Sequence, residues 1–139
     1  EMSVEERRIR ALTAEEYWIP SMRVAEAHVE GGGEAYVYRL DFSESSVRMK
    51  GQAYHSLDLP LVWKKPHADV ENVRAEAELA DVVQPAWVAF LRGEAPGAKG
   101  LPAWPKYDLE SRATMILDGK SRVEEKPQAA ELRLWEGVL

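Results

Sequence analysis

His55 and Asp58 stand three residues apart in GQAYHSLDLPLVW, residues 51–63, directly ahead of the apolar run Leu59, Pro60, Leu61, Val62 and Trp63. An imidazole titrates close to neutral pH, so a histidine on the rim of a cleft can take a proton from one group and return it to another. The apolar run gives the loop an anchor, and chemistry-bearing groups are often carried on loops held in this way. Residue types alone leave the alternatives open. A lone His55 also fits a polar surface residue, and Asp58 has a more ordinary use in local hydrogen bonding than in orienting an imidazole. A metal site built from His55, Asp58 and His67 would have chemically suitable ligands, but the helical spacings of zinc motifs are missing. We therefore expect no metal and no cofactor, and read His28 and His67 as structural.

A base needs a group to deprotonate, and the sequence does not supply one. There is no cysteine, which removes thiol nucleophiles, thiolate metal sites and disulfides. No Gly-x-Ser-x-Gly occurs, and Ser56 is too close along the chain to present its hydroxyl to the neighbouring ring in attack geometry. Ser43, Ser45, Ser46 and Ser111 lie in polar or turn contexts with nothing evident to activate them. The Gly31–Gly33 triplet could offer amides to an anion, but it follows a helical pattern and leads into a strand, where a helix stop is the simpler use of glycine.

Composition bounds the remaining classes. With 45% hydrophobic and 30% charged residues, 139 residues suffice for a globular core rather than a disordered tail. Acidic residues outnumber basic ones by 24 to 18, and no Lys/Arg cluster stands out to neutralise phosphates, which argues against a nucleic-acid partner. No apolar run approaches the ~20 residues of a membrane helix, and EMSVEERRIR lacks the apolar centre of a signal peptide. The cysteine-free chain fits a reducing compartment, so cytoplasm is expected. Glu1 precedes Met2, and the chain is read as a fragment whose upstream part could have carried a signal.

The elements that must position His55 follow from periodicity. Thr13 and Glu16 have capping-box spacing, and Trp18, Met22, Ala25 and Val29 recur at helical intervals, with Pro20 expected to kink that helix. AYVYRLDF, residues 35–42, alternates as a strand and is apolar enough on both faces at its start to suggest an interior place in a sheet. Residues 70–91 read as a helix with a Val83, Trp87 and Phe90 stripe and a bend at Pro85. Residues 93–108 are an extended loop pinned by Trp104 and Tyr107. RATMILD, residues 112–118, is a second strand; a short one follows near Val123, and a last helix carries Leu132, Trp135 and Val138. Helical connections between strands favour parallel pairing and an α/β class, with few strands flanked by helices and an incomplete sheet.

In order, AYVYRLDF, GQAYHSLDLPLVW, AWVAFLRGEAP, GLPAWPKYD and RATMILD resemble the C-terminal part of the type-B carboxylesterase family, which includes bacterial para-nitrobenzyl esterases and cholinesterases. The similarity runs from about Tyr17 to the end, so residues 1–139 are taken as one C-terminal segment without an internal boundary. The resemblance implies an α/β-hydrolase fold and carboxylic ester hydrolysis by a Ser-Glu-His triad. Its motif His-Gly-x-Asp/Glu-Leu-Pro matches His55, Ser56, Leu57, Asp58, Leu59 and Pro60, which gives His55 the role of triad histidine and leaves Asp58 outside the triad. Ser56 replaces the usual glycine.

Triads of this fold are read serine, then acid, then histidine along the chain, so a C-terminal piece carrying only the histidine is consistent. The resemblance further implies that serine, acid and oxyanion loop lie outside these residues, that the isolated chain is inactive, and that its partners are a small carboxylic ester in the complete enzyme and the missing N-terminal portion. Unpaired strand edges would otherwise favour self-association. The alternative is a non-catalytic, cholinesterase-like interaction module, for which an intact His55 motif has no physical need.

Overall fold

The computed structural model describes residues 2–44, 46–49, 51–66 and 69–138. The first helix, α1 (Val4–Thr13), begins at Ser3, whose hydroxyl accepts from the Glu6 amide while the Glu6 carboxylate accepts from the Ser3 amide. This is a complete capping box. The start expected at Thr13 and Glu16 is instead helix interior, because Ser3 and Glu6 offer the same spacing ten residues earlier. A π-helical turn (Ala14–Trp18) then leads into α2 (Ile19–Glu30).

Pro20 explains the wide turn. It cannot donate the bond that an α-helix would direct to the carbonyl of Glu16, and the Ile19 amide reaches back to the Ala14 carbonyl, five residues away. The expected disruption at Pro20 therefore takes the form of an extra residue in one turn. Helix α2 ends at Gly31, with Gly32 at φ +84° and the Gly33 amide donating to the His28 carbonyl at 2.9 Å. A Cβ on Gly33 would fall about 2.3 Å from the ring of His28, an exposed side chain that would have to swing aside to admit it. The glycine triplet is a helix stop.

Strand β1 is shorter than expected, Val37–Leu40. It pairs in parallel with β2 (Thr114–Leu117), Val37 opposite Thr114 and Leu40 opposite Leu117. Strand β3 (Arg122–Glu124) adds to β2 in antiparallel fashion, giving the order β1-β2-β3. The interior strand is thus β2, all four residues of which are buried, whereas β1 is half-buried and pairs on one side among the described residues. The parallel pairing agrees with the expectation from helical connections.

One face of this sheet carries the larger core. Phe42, Met115 and Leu117 pack with Leu61, Leu79, Ala80 and Val83, and Tyr38 and Leu40 lie against them. Leu61 belongs to α3 (Asp58–Trp63), and the other three to α4 (Val73–Leu91). Helix α4 is capped by Asn72, whose side chain accepts from the Ala75 amide at 3.1 Å, and it runs unbroken through Pro85. Pro85 and Asp81, whose carbonyl loses its partner, are both exposed, so no buried acceptor is stranded. Of the expected stripe on this helix, Val83 is buried and Phe90 is half-exposed.

A smaller cluster of Ala14, Ile19 and Leu132, flanked by Trp18 and Trp135, joins the two ends of the chain. The last helix is a single turn, α5 (Ala129–Leu132), followed by a 3₁₀ turn (Arg133–Trp135), and Val138 is exposed rather than buried. The 93–108 loop is pinned as its aromatics suggest, with Trp104 against the main core and Tyr107 buried.

The Tyr107 hydroxyl is buried without a hydrogen-bond partner, and burial, reinforced by the nearby Glu26 carboxylate, pushes the phenol up to about 12 from its ordinary 10. The folded state holds that proton more tightly than the unfolded chain, so stability present below pH 10 falls as pH rises towards 12. Urea unfolding should show Tyr107→Phe within about 1 kcal/mol of the parent at pH 7 and relieved of roughly 2 kcal/mol of the alkaline loss. Parallel alkaline declines in the two proteins would contradict this.

Candidate active site

A loop leaves the carboxyl end of β1 and returns at α3, and His55 lies on its last turn. The return is set by hydrogen bonds from the Leu57 amide to the Tyr54 carbonyl at 3.3 Å and from the Leu59 amide to the Ser56 carbonyl at 3.2 Å. Leu57, just after the histidine, is buried, as is Leu61 one helical turn further on. These two leucines hold the turn from below. Of the apolar run read in the sequence as an anchor, Leu61 is buried while Leu59 and Trp63 are exposed, and the second buried contact comes from Leu57, ahead of that run.

Ser56 sits at φ +67°, in the left-handed region that a side chain disfavours. The turn needs that conformation to bring His55 out and Leu57 in. This accounts physically for a glycine at the corresponding place of the motif, and it identifies Ser56 as locally strained. The Ser56 departure is therefore tolerated at an energetic cost rather than by a change of turn.

Asp58 does not serve His55. Its Oδ2 accepts from the Tyr38 hydroxyl at 2.7 Å, so the carboxylate at the start of α3 is bound to the middle of β1. Burial, and then the Asp58 carboxylate, raise the Tyr38 phenol well above its ordinary range. The Tyr38 ring is also held edge-on by Trp87 and Trp104, with centroids 6.3 and 6.0 Å away. The sequence placed Tyr38 on a packed strand face but offered no sign of this hydrogen bond, because the partners are 20 residues apart.

The imidazole of His55 is exposed. It stacks on Tyr17, centroid to centroid at 4.5 Å with the planes 27° apart. Both rings line an open cleft of about 1080 Å³ that runs beside β1 and is bordered by α2, the histidine turn and the C-terminal segment. Tyr17 was not foreseen as a site residue; the only local signal was an aromatic pair shortly before Pro20.

Of the other sequence candidates, His28 borders the same cleft from the last turn of α2, over Gly33. His67 and Ser45 lie outside the described residues, and no group of three potential metal ligands comes together among the described ones. Ser46 donates to Asp69 at 2.9 Å and Ser111 hydrogen-bonds Asp108, which commits both hydroxyls to loop structure. No described helix is long and apolar enough to cross a membrane.

The opposite sheet face is tied by charge. Arg39 contacts Asp41 at 2.6 Å and Gln128 at 3.1 Å, and Arg122 contacts Glu124 at 2.6 Å. Beneath α2, the buried Glu26 carboxylate lies 2.9 Å from Arg23 and 3.1 Å from Arg112. Two arginines offset the desolvation of one carboxylate there.

Residues 2–135 match the model of the carboxylesterase family. The chain belongs to that family. Para-nitrobenzyl esterase of Bacillus subtilis is 27% identical over 129 residues, covering 89% of this chain and 26% of that protein. Liver carboxylesterase B-1 of Rattus norvegicus is 28% identical over 127 residues, covering 88% and 22%. Among solved structures, a Geobacillus stearothermophilus carboxylesterase aligns with a TM-score of 0.82 at 27% identity, over 97% of this chain and 29% of that one. A PNB esterase gives 0.79 at 27% identity, over 95% and 27%. The small sheet and its helices are thus part of an α/β-hydrolase fold, and this carboxylesterase chain spans about a quarter of the length of the relatives it matches.

The geometry of the His55 turn predicts two stability changes of opposite sign. Tyr38→Phe, which strands Asp58, should cost about 1.5–3 kcal/mol. Ser56→Gly should gain about 0.5–1 kcal/mol by relieving the left-handed strain, net of the added freedom of the unfolded chain. Urea midpoints at pH 7 measure both, and a Ser56→Gly protein less stable than its parent would refute the strain.

Proposed function

We propose that this chain supplies the general base of a serine carboxylesterase, with His55 as that base and the serine, the triad acid and the oxyanion donors carried by a segment outside these 139 residues. The observation that carries the reading is the placement of His55. Its imidazole is exposed to a cleft beside β1, on the loop that follows the strand's carboxyl end. Open α/β sheets commonly place their ligands at that end.

In this reading His55 takes the proton from the serine hydroxyl as its oxygen bonds to the ester carbonyl carbon. It returns the proton to the alcohol oxygen as the bond between that oxygen and the carbonyl carbon breaks, so the alcohol leaves and the acyl group stays on serine. Water then repeats the cycle, giving its proton to His55 as it attacks the acyl-serine, and serine recovers a proton as the acid leaves. Asp58 holds the turn through Tyr38 and takes no proton in this scheme.

The substrate class is a small carboxylic ester, and no metal or cofactor takes part in these steps. Cytoplasmic residence, suited to a cysteine-free chain, belongs to the same proposal, as does the reading of the chain as one segment of a single hydrolase domain. The edge of β1 not paired to β2 would receive a strand from the outside segment. Alone, the chain is expected to pair through that edge with a second copy, and light scattering at the mass of a monomer over a wide concentration range would argue against it.

The catalytic reading is tested with a para-nitrophenyl ester. The 139-residue chain alone should give no turnover. In the longest polypeptide encoded in frame with it, His55→Ala should lower kcat by about 10⁴-fold or more, on the scale of removing a triad member. Undiminished turnover by that variant would remove His55 from the chemistry, and no turnover in the parental in-frame polypeptide would return the chain to a non-catalytic interaction module.

A further inference from the structure

The general-base reading gives His55 a task and leaves one ring nitrogen to the triad acid of the outside segment; it does not say what this chain's own residues do to fix the ring. The residue is exposed and sits on a turn with a left-handed neighbour, Ser56. Asp58, the nearest acid along the chain, is occupied by Tyr38. An imidazole so placed would sample several rotamers, and each alternative lowers the fraction poised for proton transfer. The fold supplies one wall, the ring of Tyr17, stacked on the imidazole at 4.5 Å and 27°.

Three features of the fold converge on that contact. Tyr17 lies within the π-helical turn, where one extra residue sets the phase of the side chains apart from that of the preceding helix. The turn is enforced by Pro20 and locked below by buried Ala14 and Ile19, which pack with Leu132. Across the cleft, the left-handed Ser56 and buried Leu57 set the direction of His55. Two unusual backbone conformations, far apart in sequence, therefore bring two half-exposed or exposed rings together in the same cleft. Local irregularity retained on both sides of one contact is the pattern expected where geometry serves a site.

We propose that Tyr17 is a positioning residue for His55, its ring face restricting the imidazole to one plane. The proposal rests on the general-base reading. Stacking suits this task because it occupies the face of the imidazole and leaves its two nitrogens, which accept and donate in the ring plane, unobstructed. The contact uses the Tyr17 ring; the phenol hydroxyl is dispensable, and phenylalanine should replace tyrosine.

Two measurements test this. In NMR spectra of the 139-residue chain, the face of Tyr17 should hold the His55 ring-proton resonances upfield. Tyr17→Leu should move them downfield towards those of a free imidazole, and Tyr17→Phe should keep them in place. In the in-frame polypeptide with esterase activity, Tyr17→Leu should lower kcat about tenfold with KM changed less than twofold, and Tyr17→Phe should retain parental kcat.

Coincident His55 resonances in the parent and Tyr17→Leu would overturn the contact. Parental kcat in Tyr17→Leu, with His55→Ala inactive, would overturn the positioning role. Turnover that survives His55→Ala would instead sink the catalytic reading, and the positioning role with it, while the resonances would still report whether the rings meet.

Discussion

The Tyr38 hydroxyl bound to the Asp58 carboxylate is the constraint on which the arrangement around His55 depends. A long irregular stretch separates β1 from α3, and such a stretch has many conformations to lose before it can present one side chain reliably. The bond closes it by joining the strand to the first residue of the helix. Tyr38 can serve as the fixed end because two indoles hold its ring edge-on while Leu40 and Phe42 anchor the same sheet face. A charge-assisted bond in a partly buried place is worth more than its surface counterpart. Core packing is thereby transmitted to an exposed imidazole through one phenol and one carboxylate.

Much of this could be read from the sequence, and the reasons are particular. The alternation in residues 35–42 reported the side-chain parity of β1, and the apolar RATMILD stretch reported a strand, because a two-residue period survives in any sheet. His55 could be singled out because its motif is contiguous. Thr13 misled because the same four-residue spacing occurs at Ser3, and only the position of the first helical residue decides which box forms. Val138 misled because helical periodicity was extended past Leu132, where the chain turns after a single helical turn.

The partners of the site were less legible than its members. Tyr38 with Asp58 and Tyr17 with His55 are both joined across the fold, and no local spacing encodes such pairs. Nor could the rank of β1 in the sheet be derived from its own residues. Apolar side chains on both faces describe what packs above and below a strand, whereas its neighbours in the hydrogen-bonding direction are chosen by backbone groups that every residue shares.

Helix α1 shows what the π-helical turn does to the rest of the molecule. None of its side chains is buried, and it reaches the C-terminal segment through Arg10, which grips Glu131 with contacts as short as 2.6 Å. A grip made of opposite charges in partial contact with water weakens as dissolved ions accumulate. That one contact answers to the ionic strength of its surroundings, whereas the helix itself runs on without a break into the π-helical turn and the sheet beneath is held by apolar contacts that the same ions leave in place.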